Sequence, residues 1–223
     1  MARLARKHVI ETEAPHGNGA SANGSNGGLE SRARLTQALR LLLEESPIIP
    51  SVRWPEYVTQ AARARGKIVY LLCGDPETVP EMSAVINDAG KTPIVNVDLI
   101  QGLSRDGAAV AYLAHYGVRG IISTHPEPLR AARTFEMYTI ERTFLLDSAA
   151  LETALRSIDR VQQDAVEVLP AMVAPHLIRQ LWKTRPDIPV IAGGLINTFR
   201  EIEDLRAQGV ISVSVSNAAL WLP

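Results

Sequence analysis

The chain has 223 residues, 46% of them hydrophobic and 21% charged, which suits one sizeable core and excludes a disordered or fibrous protein. A formal net charge of -1 at pH 7 excludes a surface that is basic throughout, so a nucleic-acid partner would have to meet a local patch. The single cysteine, Cys73, rules out an internal disulfide, and no apolar run approaches the roughly 18 residues that a membrane span needs.

In chain order, "MARLARKH" brings Arg3, Arg6, Lys7 and His8 with no apolar stretch behind them, so it reads as a charged tail rather than a secretion signal. A cytoplasmic protein is expected. The alternative reading of these residues is an arm that touches an anionic partner. The following "APHGNGASANGSNGG", Ala14 to Gly28, is built from small and polar residues with almost nothing to bury. A flexible tail is predicted over residues 1–28 and a folded domain over 29–223.

From there one pattern recurs. Short β-rich runs occur at Ile48–Val52, Ile68–Leu72, Pro93–Asp98, Gly120–Thr124, Phe144–Asp147, Val166–Pro170, Val190–Gly194 and Ile211–Ser216. Between them lie stretches with helical spacing, such as "LETALRSIDRVQQ", where Leu151, Ala154, Leu155 and Ile158 share a face. Eight strands, each followed by a helix, predict a (β/α)8 barrel. A doubly wound open sheet is the competing architecture, but it would carry a glycine fingerprint after its first strand, and "IIPSVRWPEY" has no glycine.

In such a barrel the loops at the carboxyl ends of the strands build the site, and the loops after strands seven and eight often hold phosphate. Here Gly193-Gly194 closes the seventh strand, while Ser214, Ser216 and Asn217 close the eighth, just before a short helical "AALW". Backbone N–H groups, serine hydroxyls and a helix start together suit a dianion without a lysine. The other strand ends offer Arg53, Asp98 with Gln101, Ser123 and Asp147, with Glu167 inside strand six. Ionised Asp98, Asp147 and Glu167 are acceptors fit for the hydroxyls of a small polyol; alternatively one or two of them cap helices or turns, as Asp147 before "SAAL" could.

Signatures of catalysis are sparse. None of the lysines, Lys7, Lys67, Lys91 and Lys183, ends a strand, so a Schiff-base mechanism has no nucleophile. No histidine or cysteine cluster has metal-ligand spacing, and neither a metal nor a cofactor is expected. Acid–base chemistry by Glu167 or Asp98 on a phosphorylated polyol or sugar stays open as the enzymatic alternative.

The stretches "VDLIQGL", "GIISTH", "IERTFLLDSAALE", "VEVLP", "IAGGLI" and "SVSN" together resemble the glycerol uptake operon antiterminator family, from about Ile48 to the C-terminus. The resemblance implies a barrel regulator, not an enzyme, that binds glycerol 3-phosphate and acts on the mRNA leader of glycerol-catabolic genes. By position it puts Gly193, Gly194, Ser216 and Asn217, with Ser214 beside them, on the phosphate and Asp98, Asp147 and Glu167 on the glycerol hydroxyls. Aromatic residues make up only 5% of the chain, so arginines, as in Ala62–Lys67 and Leu129–Arg142, are expected to carry RNA affinity. A ligand-dependent homodimer that assembles a basic surface is the expected route of coupling.

Overall fold

The computed structural model describes residues 24–221, with side chains from residue 30 onward. The first part of the predicted tail, residues 1–23, lies outside the described residues. A helix, α1 (Gly24–Glu44), takes up the rest of it and runs on into the domain.

Eight parallel strands then close into a barrel in chain order: β1 (Ile48–Val52), β2 (Ile68–Leu71), β3 (Thr92–Asn96), β4 (Gly120–Ser123), β5 (Tyr138–Phe144), β6 (Ala165–Leu169), β7 (Val190–Gly193) and β8 (Ser212–Val215). The helices between them are α2 (Val58–Arg63), α3 (Thr78–Asp88), α4 (Gly107–His115), α5 (Pro126–Thr134), α6 (Ser148–Val161), α7 (Ala174–Leu181) and α8 (Phe199–Ala207). The (β/α)8 prediction holds.

The fifth strand is the exception among the predicted strands. It ends where the expected run, Phe144–Asp147, was to begin, because the strand carries Glu141 and Arg142, a charged pair that argues against burial in a bare sequence. Both are buried all the same.

Alternation along the strands sorts the core into two parts. Val69, Leu71, Val95, Ile121, Val166, Val168, Val213 and Val215 face outward under the helices. Ile49, Ile68, Tyr70, Ile94, Ile122, Ile140, Ala165 and Ile191 fill the barrel, and Leu39 and Leu43 of α1 pack into the same cluster from the N-terminal end. The helix therefore plugs the barrel floor. It is held there by Arg32, which pairs with buried Asp164, and by Thr36, whose hydroxyl donates to Asp164 Oδ1 at 2.7 Å.

Glu141 turns to the helix side of β5, 7% exposed, and its Oε2 has no hydrogen-bond partner. Burial raises its pKa, with a hydrogen bond from Ser157 acting the other way. An acid whose folded pKa lies above its unfolded value is penalised once ionised; the penalty sets in above the ordinary carboxylate range and is complete above the raised value. Glu141→Gln is therefore expected to stabilise the protein at neutral pH by on the order of 1 kcal/mol, with the gain shrinking in acid. Urea unfolding of both proteins at neutral and acidic pH measures this.

Candidate functional site

The three serines of β8 and its extension, Ser212, Ser214 and Ser216, lie on the inner side of the barrel at successive heights. Ser212 sits at the floor and donates to the Leu43 carbonyl at 2.9 Å. Ser214 donates to Glu167 Oε1 at 2.6 Å, and Ser216 lines the open mouth at the C-terminal ends of the strands. The alternation "SVSVS" is thus one polar face read upward.

Below the mouth lies a closed polar layer. Glu167 of β6 is fully buried; its Oε2 meets Arg142 Nε of β5 at 2.7 Å and its Oε1 takes the Ser214 hydroxyl. The pairing follows from register, since Arg142 and Glu167 are direct neighbours across β5 and β6. Tyr70 lies nearby with its hydroxyl unpartnered, and burial, then the Glu167 charge, hold its phenol well above the usual range. Tyr70 stays protonated and can donate.

The glycine pair serves this layer in two ways. A Cβ on Gly193 would sit 2.4 Å from Ser214 Oγ and 3.1 Å from Glu167 Oε1, so only glycine leaves that hydrogen bond intact. Gly194 has φ +81°, a left-handed turn, and its backbone faces the mouth.

The mouth is a cavity of about 430 Å³. Of the residues predicted from sequence, Gly194, Ser214, Ser216, Arg53 and Gln101 line it. Glu167 and Gly193 pack against its lining residue Ser214. Four others are engaged in the loops around it. Asp98 accepts from Ser123 Oγ at 2.7 Å and from the Thr124 amide at 2.7 Å, tying the β3–α4 loop to the β4–α5 loop, with Arg105 at 3.6 Å. Asn217 accepts from the Ala219 amide at 3.1 Å and starts the short turn Ala218–Leu220. Asp147 caps α6 by accepting from the Ala150 amide at 2.8 Å, and faces a separate cavity between the starts of α6 and α7. The capping alternative describes its contacts.

Arg142 is what sequence reading missed. It lies in the stretch Leu129–Arg142 expected to carry RNA affinity, yet its side chain is 9% exposed and lines the mouth. The signal was its place two residues after Ile140, on the inner face of the strand. Arg53 stands at the rim, its guanidinium 5.7 Å from the Trp54 ring centre. Cys73 also lines the mouth, and burial followed by the Glu56 charge pushes its thiol up, away from the thiolate a nucleophile needs. Among the described residues no lysine lines this cavity, no cluster of side chains could hold a metal, and no helix is long and apolar enough to cross a membrane.

The protein is thus a closed (β/α)8 barrel whose mouth joins serines, a glycine turn and two arginines, one of them paired with Glu167. The family described as glycerol-3-phosphate responsive antiterminator matches residues 48–221, and the chain belongs to it. The glycerol uptake operon antiterminator-related protein of Thermotoga maritima is 30% identical, over 79% of this chain and 98% of its own, with a TM-score of 0.71. The glycerol uptake operon antiterminator regulatory protein of Listeria monocytogenes is also 30% identical, over 78% and 94%, with a TM-score of 0.72. The Escherichia coli (strain K12) protein YgcP is 28% identical over 181 residues, 81% of this chain and 94% of its own.

Proposed function

We propose that this protein senses glycerol 3-phosphate at the barrel mouth and, with it bound, binds an mRNA leader to prevent transcription termination. The observation that carries this reading is the mouth itself, where a cavity of about 430 Å³ combines Gly194, Ser214 and Ser216 with Arg53 and Arg142. The phosphate takes the Gly194 side, with backbone N–H groups, the Ser216 hydroxyl and the Arg53 charge, while Ser214 and Arg142 stay engaged with Glu167. The glycerol end turns toward Gln101 and the polar layer of Glu167, while Asp98, Asp147 and Asn217 fix the loops that frame it. Nothing in this arrangement activates a nucleophile, since both Glu167 oxygens are engaged and Cys73 stays a thiol.

Isothermal titration tests this reading with glycerol 3-phosphate, glycerol and inorganic phosphate as separate titrants. Saturable binding of glycerol 3-phosphate, much weaker binding of either half and full recovery of unchanged ligand are expected. Turnover of the ligand would instead assign the mouth to an enzyme.

A further inference from the structure

The opposite end of the barrel carries a second polar cavity, about 470 Å³ in volume, between α1 and the N-terminal ends of the strands. Four arginines line it, Arg32, Arg40, Arg133 and Arg185. Two are neutralised: Arg32 by Asp164 and Arg185 by Asp187 at 3.2 Å. Arg40 and Arg133 donate only to carbonyls, those of Asp187 and Val161. Among the described residues Arg133 has no carboxylate partner, while Arg40 lies near Asp187, whose pKa it helps to lower after the larger effect of Arg185, and near Glu44.

Gln163 lines the same cavity, is 2% exposed, and has neither its amide nitrogen nor its amide oxygen hydrogen-bonded. Arg32 Nε is likewise buried without a partner. A buried amide unpaired at both ends is costly in folding, and a ligand that offers one acceptor and one donor would pair it. The edge of a nucleobase offers that combination, as adenine does to glutamine, whereas a bare phosphate offers acceptors alone.

A neighbouring cavity of about 240 Å³ shares Arg40 and is walled by the indole of Trp182, which is 52% exposed. Its ring packs over Gly209, where a Cβ would come within 2.8 Å of it. The two cavities share Arg40 and, taken as one groove, hold the Arg133 charge, an unpaired amide and an aromatic face. Those are the parts with which proteins hold unstacked nucleotides.

We infer that this groove beneath the barrel seats single-stranded RNA, with Arg40 and Arg133 on phosphates, the Gln163 amide on a base edge and Trp182 stacked on a base. The inference rests on the antiterminator reading and adds where the RNA lies, on the end of the barrel away from the ligand mouth.

The test is fluorescence anisotropy with two labelled probes, a short randomised single-stranded RNA and the leader transcript, each with glycerol 3-phosphate present. Gln163→Leu and Trp182→Leu should each weaken binding roughly tenfold. Arg40→Gln and Arg133→Gln should each lower the salt slope by about one. Arg200→Gln, on the exposed face of α8 and outside both arginine clusters, should change nothing. Gln163→Leu removes an unpaired buried amide, so its thermal stability should be kept or raised, which separates lost contact from lost fold. Wild-type affinity in all groove variants, or an equal loss in Arg200→Gln, overturns the groove and leaves the antiterminator reading standing. A wild-type protein that binds neither probe overturns both.

Discussion

Arg142→Met is expected to cost about 3–5 kcal/mol of stability, the largest effect of any single substitution at the barrel mouth. The reason is the partner left behind. Glu167 is 0% exposed and Arg142 is 9% exposed, so removing the guanidinium strands a carboxylate where water cannot reach it. Removing the carboxylate as well, in Arg142→Met/Glu167→Met, should return most of the loss, because two apolar side chains of similar length replace the pair. Ser214→Ala deletes one hydrogen bond to a charged group and should cost about 1.5–3 kcal/mol. Urea unfolding of these variants checks the series. A double variant as unstable as Arg142→Met would mean that the pair does not act as a unit.

Gly194→Asp should abolish ligand binding while the barrel stays folded. Two effects add. The turn at φ +81° strains any side-chain-bearing residue, at a cost of about 1 kcal/mol that the fold can absorb. Space is not the obstacle, since the nearest atom to a Cβ there is Leu169 Cδ2 at 3.5 Å. The second effect is charge. A carboxylate at the rim faces the phosphate, and like charges a few ångströms apart weaken binding by roughly a hundredfold or more. Gly194→Asn carries the same strain and volume without the charge. It should keep most of the affinity, so titration of both variants isolates the electrostatic part.

The closed barrel was legible because seven of its strands announce themselves by β-branched runs between turn residues, and each lies within two residues of its predicted bounds. β5 was displaced because charge in a strand reads as exposure. Only the register, with Arg142 beside Glu167, shows that the charges neutralise each other inside. Helix α1 went unread for a different reason: its role as floor plug depends on Leu39 and Leu43 meeting Ile49 and Ile68, a contact between distant parts of the chain.

At the site, chemistry that depends on one strand was visible and chemistry shared between strands was not. Gly194, Ser214 and Ser216 follow from the ends of β7 and β8 and line the mouth. Asp98 and Asp147 also end their strand segments, but nearby backbone amides claim their oxygens first. Short polar side chains at loop starts serve the loop before they serve a ligand.

For occupancy of the mouth to control RNA binding, the ligand must favour one state of the protein over another. The most direct measurement is a gel shift of the leader transcript with and without glycerol 3-phosphate, run in parallel on wild type and Gly194→Asp. The ligand should tighten wild-type binding and leave the variant unchanged. Equal RNA affinity with and without ligand in the wild type would contradict it.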